Sequence, residues 1–230
     1  MQLQTFLFVL CVNNDALYQN ACRQIDNLFL PPGYKKEIMA IRDACSMASA
    51  YNRALEHQAK FKIYIHQDTF IVHQGMLFEL VDMFLRHPEL GLIGLVGCET
   101  LPDNGIWWEG EGRAGQVIEH RGEMYQLLRF EQGFKESEDY IQVQAIDGFF
   151  MATQYDVPWI EEVFDGFHFY DTSQSMEFQL AGYTVGVPVL QSPWCIHYCG
   201  DDFDAFTYEK YRTSFVNHYF SDRNLIDRKQ

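Results

Sequence analysis

Short apolar runs alternate with helical periodicities through the first hundred residues, and this order constrains the fold more than any other feature of the chain. Four runs have the length and composition of strands: Thr5–Val12, Glu37–Ile41, Phe61–His66 and Leu90–Val96. Apolar side chains recur at helical spacing in the three intervening segments, Leu17–Leu28, Met47–Leu55 and Leu77–Phe84. Strands that alternate with such helices require right-handed crossovers. The pattern therefore predicts an α/β fold with a mainly parallel central sheet flanked by helices.

The second half of the chain follows a different pattern, which predicts a smaller mixed β region. Residues 99–115 are rich in Gly, Glu and Trp and predict a long loop. Strand patterns then recur at Gln116–Glu119, Met124–Phe130, Tyr140–Ile146, Phe149–Thr153 and Thr184–Val189. A helix is predicted after Asp171, and an aromatic-rich helix at Ala205–Ser221. No linker composition separates these parts, so we expect a single domain over residues 1–230.

Composition excludes several classes of protein. Hydrophobic residues make up 47% and aromatic residues 16% of the 230 residues, which is incompatible with intrinsic disorder. A formal net charge of -15 argues against binding to nucleic acid or to an anionic membrane, because both require clustered Lys and Arg. No stretch approaches the roughly 20 apolar residues of a transmembrane helix. The six scattered cysteines predict free thiols, and we expect a soluble, cytoplasmic protein.

Two acidic residues stand where a catalytic or binding site of such a fold would form. Asp68 closes His66-Gln67-Asp68 at the end of the strand Phe61–His66, and ligands of open parallel sheets bind beyond the carboxyl ends of strands. A carboxylate there can bind Mg²⁺ or Mn²⁺, although it can equally cap the next element. Asp171 precedes a helical pattern, so it is either an N-cap or a general base that faces the same cleft.

Two cofactor motifs are incomplete in this sequence. Residues 110–115, GEGRAG, have the glycine spacing of a dinucleotide-binding loop, but a strand pattern follows them where that loop requires a helix. A flexible loop is therefore the better interpretation. Cys195, His197 and Cys199 form a C-x-H-x-C motif without the second pair of ligands that structural zinc requires. His197 acting alone is the favoured interpretation of this motif.

Two further pairs of residues are candidates for a ligand pocket. Asp147-Gly148 closes a predicted strand, where a glycine permits close backbone approach by a ligand. Trp107-Trp108 can stack on sugar rings, and paired tryptophans can equally form an interface. The sequence contains no G-x-S-x-G, Walker-type loop or H-E-x-x-H, which weakens the serine-hydrolase, NTPase and zincin interpretations.

Several short segments occur in an order that is more specific than any one of them. In chain order they are Cys11-Val12-Asn13-Asn14, Ala50-Tyr51-Asn52, Tyr64-Ile65-His66-Gln67-Asp68, Gly94-Leu95-Val96-Gly97, Ile146-Asp147-Gly148-Phe149-Phe150-Met151, Gly166-Phe167-His168-Phe169-Tyr170-Asp171, Ala181-Gly182-Tyr183, and His197 followed by Gly200. This set resembles the glycosyltransferase family 2-like proteins of GT-A fold, particularly the branch named after a streptomycin-biosynthesis protein. The resemblance covers most of residues 5–200.

The resemblance implies the inverting transfer of a sugar from a nucleotide-diphosphate sugar to a carbohydrate or small-molecule acceptor, assisted by Mn²⁺ or Mg²⁺. Asp68 and His197 are the implied metal ligands, and Asp171 is the implied catalytic base. The implied nucleotide-sugar contacts are Asn13, Asp43, Tyr51, Asn52, His66, Gln67 and Asp68. The implied acceptor or sugar pocket consists of Trp107, Trp108, Asp147, Gly148 and Tyr170. Residues 1–98 would form the nucleotide-sugar-binding half, residues 99–204 the catalytic and acceptor half, and residues 205–230 a C-terminal helix.

Two departures from the family pattern leave alternatives open. His66 replaces the first acid of the family's Asp-x-Asp motif, and Tyr170 replaces the glutamate of its Glu-Asp pair. The loss of these acids favours a second interpretation, a non-catalytic sugar- or nucleotide-binding protein on the same fold. A third interpretation, a nucleotidyltransferase, is weakened because the sequence lacks a glycine- and lysine-rich phosphate loop near the first strand.

Overall fold

Two β-sheets flanked by helices form the framework of the protein. The computed structural model describes residues 3–130, 139–200 and 204–221. In chain order the strands are β1 (Gln4–Val12), β2 (Tyr34–Arg42), β3 (Phe61–Ile65), β4 (Thr69–Ile71), β5 (Leu90–Gly94), β6 (Val96–Thr100), β7 (Glu111–Arg121), β8 (Met124–Phe130), β9 (Tyr140–Gln142), β10 (Ala145–Ile146), β11 (Phe150–Thr153), β12 (Thr184–Pro188) and β13 (Cys195–Tyr198). The helices are α1 (Asp15–Asp26), α2 (Met47–Asn52), α3 (Met76–Arg86), α4 (Tyr170–Leu180) and α5 (Ala205–Tyr219), with short 3₁₀ turns at Arg53–Glu56 and Trp107–Glu109.

The central sheet has seven strands in the order β2-β1-β3-β11-β5-β12-β9. The four strands of the first hundred residues that belong to it, β1, β2, β3 and β5, all run in one direction, and β12 joins them. The other two, β11 and β9, run the opposite way, so three pairings are parallel and three are antiparallel. The sheet is mixed because β11 returns from the second half of the chain and inserts between β3 and β5.

Strand β1 is buried on both faces, as its continuous apolar run predicts. Residues Phe6–Leu10 are at most 1% exposed. Phe6 and Phe8 pack on one face in a cluster that contains the apolar residues of α1 and α3. Leu7 and Val9 pack on the other face with residues of α2 and α4. Helices therefore cover both faces of the central sheet, and β1 is fixed between β2 and β3.

The second sheet is composed mainly of strands from the second half of the chain. Its order is β10-β6-β7-β13-β4, with β8 paired to β7. Two of the predicted strands are each divided between the two sheets: Leu90–Val96 becomes β5 and β6, and Tyr140–Ile146 becomes β9 and β10. Periodicity does not reveal such a break, because the chain stays apolar while it crosses from one sheet to the other.

The long loop predicted at residues 99–115 is shorter in the structure. Strand β6 continues to Thr100, and β7 begins at Glu111, so most of GEGRAG belongs to a strand. Gly115, with a φ of +96°, lies where a side chain would overlap with the carbonyl oxygen of Leu95. Glycine is required here by a close approach between two strands. The glycine spacing therefore has a structural explanation that involves no dinucleotide.

Helix α5 confirms the predicted aromatic-rich helix. Its residues Tyr211, Phe215 and Tyr219 are buried, and the last two pack against Phe164. The part of the C-terminal helix prediction that covers residues 222–230 lies outside the described residues. In the described ranges, no helix is both long and apolar enough to cross a membrane. All six cysteines are free thiols, as predicted.

Candidate functional site

A cleft of about 660 Å³ opens at the carboxyl ends of β1, β2 and β3. These strands are parallel, so their last residues and the turns that follow lie at one edge of the sheet. The lining residues come from four segments: Cys11–Asn13, Ile41–Ala44 with Met47, His66–Asp68, and Phe167. Five residues predicted from the sequence thus lie together at this edge, namely Asn13, Asp43, His66, Gln67 and Asp68.

The side chain of Gln67 joins the ends of β1 and β3 across the cleft floor. Its Oε1 accepts hydrogen bonds of 3.0 Å from the backbone N–H groups of Asn13 and Asn14. Its Nε2 donates to Oδ1 of Asn13. Asn14 in turn caps α1, since its Oδ1 accepts from the N–H groups of Ala16 and Leu17. The position of the first turn is therefore set by a side-chain network rather than by a glycine-rich loop.

Asp43 sits at the rim of the same cleft in a left-handed backbone conformation, with a φ of +55°. Such a conformation is uncommon for a residue with a side chain and is concentrated at ligand-binding sites. The preceding residue, Arg42, also lines the cleft and pairs with Asp15 at 2.7 Å. Sequence reasoning did not assign Arg42 or Phe167 to the site, although Phe167 lies in one of the segments that resemble the family.

Three potential metal ligands converge beside this cleft, and two of them, His66 and Asp68, line it. His66 follows β3, Asp68 lies in the turn before β4, and His197 lies on β13, which pairs antiparallel with β4. Nε2 of His197 is 3.6 Å and Nδ1 of His66 is 3.9 Å from Oδ1 of Asp68. Within the described part of the chain, these three residues form the one cluster of His, Cys, Asp and Glu side chains close enough to share an ion.

The carboxylate of Asp68 shows that this cluster fits a divalent cation. Its Oδ1 is buried and accepts no hydrogen bond from any described residue, which is costly for a charged oxygen. Both histidine nitrogens are too distant for normal hydrogen bonds to it. Ligand atoms that bind one ion at about 2.1 Å lie roughly 3 to 4 Å apart, and both distances from the histidines to Asp68 fall in this range. The position of Asp68 is therefore suited to binding an ion.

Charges in the cluster are already complementary. Burial opposes the ionisation of Asp68, but the adjacent His197 and His66 outweigh it and hold the pKa of this carboxyl below its ordinary value. Burial favours the neutral form of His197, but Asp68 and Cys199 outweigh it and raise the pKa of His197 to about 10. Sγ of Cys199 lies 3.5 Å from Nδ1 of His197. The C-x-H-x-C motif therefore places one ligand and a neighbouring thiol at the cluster, and its third member, Cys195, is buried elsewhere in the core.

Asp171 lies in the first turn of α4, directly after Tyr170. Its Oδ2 accepts a hydrogen bond of 2.9 Å from the N–H of Gly148, and its Oδ1 accepts one of 2.8 Å from Thr172. The N-cap of α4 is Phe169, so the alternative role of Asp171 as the cap is wrong. Burial, followed by the negative charge of Asp147, raises the pKa of Asp171 to about 7. A carboxylate with this pKa is suited to accept a proton near neutral pH.

Tyr170 connects the cation cluster to Asp171. Its Oη is hydrogen-bonded to Nε2 of His66, and it directly precedes Asp171 in α4. The prediction had placed Tyr170 in an acceptor or sugar pocket, whereas the structure places its hydroxyl against the cation cluster. Asp147, from the same predicted pocket, accepts a hydrogen bond of 3.0 Å from the N–H of Phe149 and stays close to Asp171.

Tyr51 and Asn52 do not reach the cleft, so their predicted contact with the nucleotide sugar is corrected. Tyr51 is fully buried, with its ring packed against Tyr64 and Trp159 at 4.7 and 4.9 Å. Nδ2 of Asn52 donates to the carbonyl oxygen of Trp159 at 2.9 Å, and the N–H of Trp159 donates back to Oδ1 at 2.9 Å. The segment around these residues therefore has a structural role behind the cleft.

Replacement of Asn52 tests this correction. We expect Asn52→Ala to lower the free energy of unfolding by about 1–3 kcal/mol, because two backbone groups of Trp159 lose their partners. The affinity for a nucleoside diphosphate should stay that of the unchanged chain, since the side chain does not line the cleft. Denaturant unfolding and calorimetric titration measure the two quantities. A loss of nucleotide affinity without a loss of stability would restore the original prediction.

The two tryptophans of the predicted acceptor pocket have different environments. Trp107 is 7% exposed and packs in the core against Phe130, so its prediction as a sugar contact is corrected. Trp108 is 41% exposed, with its ring 5.6 Å from that of Tyr208 on α5. Burial and the nearby Asp171 both raise the pKa of Tyr208. Helix α5 therefore brings an aromatic side chain close to Asp171, and the aromatic content of residues 205–221 was the signal for it.

Known proteins resemble this chain in sequence pattern and in fold. The model of a family described as "Glycosyltransferase like family" matches residues 7–219. No curated protein matches the sequence.

Among solved structures, S. aureus TarS is similar with a TM-score of 0.57 and 11% identity, over 99% of this chain and 41% of that one. A TarS fragment, residues 1–349, gives a TM-score of 0.54 and 10% identity, over 85% of this chain and 60% of the fragment. The same fragment in complex with UDP-GlcNAc gives 0.51 and 9%, over 98% and 69%. At these identities the likeness shows the fold alone, that of the GT-A glycosyltransferases. The chain also spans less than two thirds of the first two TarS structures.

Proposed function

The chain belongs to the glycosyltransferase-like family, and we propose that it transfers a sugar, with inversion, from a nucleotide-diphosphate sugar to a hydroxyl acceptor. One observation carries this proposal: a cluster that fits a divalent cation lies at a cleft beyond the carboxyl ends of parallel strands, and the hydrogen bond between His66 and Tyr170 connects it to Asp171, a carboxyl with a pKa of about 7. The structure of the TarS fragment with UDP-GlcNAc supports a donor of this class. The narrower resemblance to the streptomycin-biosynthesis branch belongs to the same proposal.

Donor binding is assigned to the first half of the chain, residues 1–98. Asp43, held at the rim in its left-handed conformation, is placed to accept hydrogen bonds from the nucleobase or ribose. Asn13 and Gln67 fix the floor of the cleft between them. Asp68, His66 and, from the second half of the chain, His197 would hold a divalent cation, which would supply positive charge to the departing diphosphate.

Acceptor activation is assigned to residues 99–204. The carboxylate of Asp171 accepts the proton of the acceptor hydroxyl as that oxygen attacks the anomeric carbon. The N–H groups of Gly148 and Thr172 hold the carboxylate in a fixed orientation, and Asp147 raises its proton affinity. The exposed ring of Trp108 is the remaining aromatic candidate for an acceptor contact. Tyr208 of helix α5, in the C-terminal part of the chain, lies beside the ring of Trp108.

The pKa of Asp171 gives the expected pH dependence. Donor cleavage should fall about tenfold for each pH unit below about pH 7, because only the ionised carboxyl accepts a proton. Asp147→Asn removes a negative charge that raises this pKa, so the acid limb of the variant should move to lower pH. A pH–rate profile of donor hydrolysis measures both effects. A limb centred near the ordinary pKa of Asp, identical in both proteins, would contradict the assignment of Asp171.

Nucleotide binding tests the proposed donor class. We expect one of UDP, GDP, dTDP and CDP to raise the melting temperature in the presence of Mn²⁺ or Co²⁺ and to lose most of this effect in EDTA. At a hundredfold excess over its dissociation constant, a ligand stabilises by about 2.7 kcal/mol, which is measurable by thermal unfolding. No shift with any of the four nucleotides, with or without a cation, would contradict the proposal. The corresponding nucleotide sugars then identify the donor.

A further inference from the structure

The two positions where this chain departs from the family's acidic pairs contact each other. His66 replaces the first acid of the Asp-x-Asp motif, and Tyr170 replaces the glutamate of the Glu-Asp pair. They are 104 residues apart in the sequence, yet Nε2 of His66 and Oη of Tyr170 are hydrogen-bonded to each other. The two replacements therefore form one structural unit, because each residue provides the hydrogen-bond partner of the other.

The position of the Tyr170 hydroxyl is fixed by the surrounding core. Tyr170 is 4% exposed, and its ring lies 5.9 Å from Tyr51 and 6.1 Å from Trp159. Gly148 leaves the space that the hydroxyl occupies, because a Cβ at that position would overlap with Tyr170 Oη. A rigid hydroxyl fixes the imidazole that it contacts. The orientation of His66 is therefore set from behind the cleft.

This orientation decides which nitrogen of His66 faces the cation cluster. With Nε2 engaged by Tyr170, the atom that remains on the side of Asp68 is Nδ1, at 3.9 Å from Oδ1. His197 presents Nε2 to the same oxygen at 3.6 Å. Two imidazole nitrogens and one carboxylate oxygen thus converge where the family pattern would place a second carboxylate. A metal-binding histidine whose other nitrogen is held by a hydrogen bond is a recurrent arrangement in metal sites.

The donor atoms of such a set decide the class of ion. Mg²⁺ binds oxygen ligands and water and gives up its water reluctantly, so two imidazoles are poor ligands for it. Imidazole suits Zn²⁺, Co²⁺, Fe²⁺ and Ni²⁺, and the affinity of nitrogen sites rises from Mn²⁺ through Co²⁺. Because His66 stands in place of a carboxylate, the site has one negative charge fewer, which weakens the electrostatic attraction for every divalent ion.

We propose that Tyr170 is a positioning residue: it does not bind the ion itself but holds Nδ1 of His66 toward Asp68. The resulting site selects transition-metal ions over Mg²⁺. This inference rests on the proposed function. In the active tautomer Nε2–H of His66 donates to Tyr170 Oη, which leaves Nδ1 unprotonated. The replacement of both family acids then changes the type of ligand in the metal site and does not abolish the site.

Calorimetric titration of the full chain, without nucleotide, tests the selectivity. We expect Co²⁺ and Zn²⁺ to bind roughly 100-fold more tightly than Mg²⁺. The affinity for Mn²⁺ should lie between that for Mg²⁺ and that for Co²⁺. His66→Asp should lower the ratio of Zn²⁺ to Mg²⁺ affinity about tenfold or more, because it restores an oxygen ligand. The ratio is the readout, since the added charge strengthens the binding of both ions. Equal affinities for Zn²⁺ and Mg²⁺ in the unchanged chain, or an unchanged ratio in His66→Asp, would overturn the selectivity.

Tyr170→Phe tests the positioning role. It keeps the ring in the core, and we expect Co²⁺ affinity to fall roughly 10- to 100-fold, as for other residues that orient a metal ligand. Nitrogen-15 NMR of the metal-free chain should show His66 protonated at Nε2, and the variant should show a mixture of tautomers. Tyr51→Phe is the matched control, since its hydroxyl lies in the same aromatic cluster without a described hydrogen-bond partner. Equal Co²⁺ affinity and equal His66 spectra in Tyr170→Phe and Tyr51→Phe would overturn the role of Tyr170.

The outcomes separate this inference from the proposed function. Binding of Mg²⁺ as tight as that of Co²⁺ would overturn the inference and leave a cation-assisted transferase intact. If the unchanged chain binds none of the four ions, both the inference and the cation of the proposed function are contradicted. His66→Asp keeps the selectivity testable if Tyr170→Phe fails to fold.

Discussion

Asp171→Asn is expected to abolish sugar transfer and to make the protein more stable at pH 8. Asn cannot accept the proton of an acceptor hydroxyl, and general-base catalysis contributes about 10²- to 10⁴-fold to rates. The amide oxygen of Asn can still accept one of the two hydrogen bonds that Gly148 and Thr172 donate to separate carboxylate oxygens, and the two side chains have nearly the same shape, so the cleft should change little. Steady-state donor cleavage and the affinity for the nucleoside diphosphate measure the two effects. We expect the rate to fall by at least about 100-fold and the affinity to stay unchanged.

The stability gain follows from the raised pKa of Asp171. A folded-state pKa of about 7 lies above the ordinary value of 3.8, so the favourable contribution of the protonated form is lost as pH rises through about 7. An amide has no such penalty, so the variant should gain about 2 kcal/mol, or about 4–8 °C, at pH 8. Near pH 4 the gain should disappear.

Two outcomes separate an enzyme from a binding protein at this point. If Asp171→Asn lowers donor cleavage while the nucleotide still binds, the carboxyl acts in a reaction. If every detectable activity, including slow donor hydrolysis, is the same in both proteins, Asp171 is not a base and the non-catalytic interpretation is favoured. Thermal unfolding at pH 8 then still shows whether the ionised carboxyl of Asp171 destabilises the folded protein.

Asp68→Ala is expected to remove cation-dependent nucleotide binding. Oδ1 of Asp68 lies between the two histidines, and its carboxylate is the one acidic group of the cluster. Its loss leaves two imidazoles without a charged partner, and we expect the affinity for the cation to fall by about 100-fold or more. The rise in melting temperature with nucleoside diphosphate and Mn²⁺ should disappear with it. Donor cleavage should become undetectable.

Asp82→Ala is a matched control for this variant. Asp82 is an exposed carboxylate on α3 that pairs with Arg86 and does not line the cleft. Removal of the same charge there should leave the cation effect intact. A full melting-temperature increase in Asp68→Ala, equal to that in Asp82→Ala, would contradict the assignment of Asp68 as an ion ligand.

The sequence alone predicts the parts of the fold that depend on local patterns. The run of β1 and the helical stripe of α3 are visible because their apolar positions match the burial that the sheet imposes. The insertion of β11 between β3 and β5 is not visible in this way. Neither is the division of Leu90–Val96 between two sheets, because pairing partners are set by contacts between distant segments.

The same distinction between local pattern and distant contact separates the site residues that the sequence predicts from those that it does not. Asp68 and His197 were predicted from their order in the chain, and the pairing of β13 with β4 places them together. Motif order does not show where a side chain points, which explains the errors for Tyr51 and Asn52. The hydrogen bond between His66 and Tyr170 depends on the space at Gly148, and only the folded structure shows it.

Proton NMR of donor hydrolysis, with water as the acceptor and the anomeric proton as the reporter, tests directly whether the protein is an inverting transferase. With the nucleotide sugar that binds most tightly and with Co²⁺ or Mn²⁺, we expect release of a nucleoside diphosphate and a sugar of inverted configuration, before mutarotation equilibrates the anomers. The same signal should be absent in EDTA and in Asp171→Asn. Release of the sugar with retained configuration, or cleavage that continues at full rate in Asp171→Asn, would contradict this expectation.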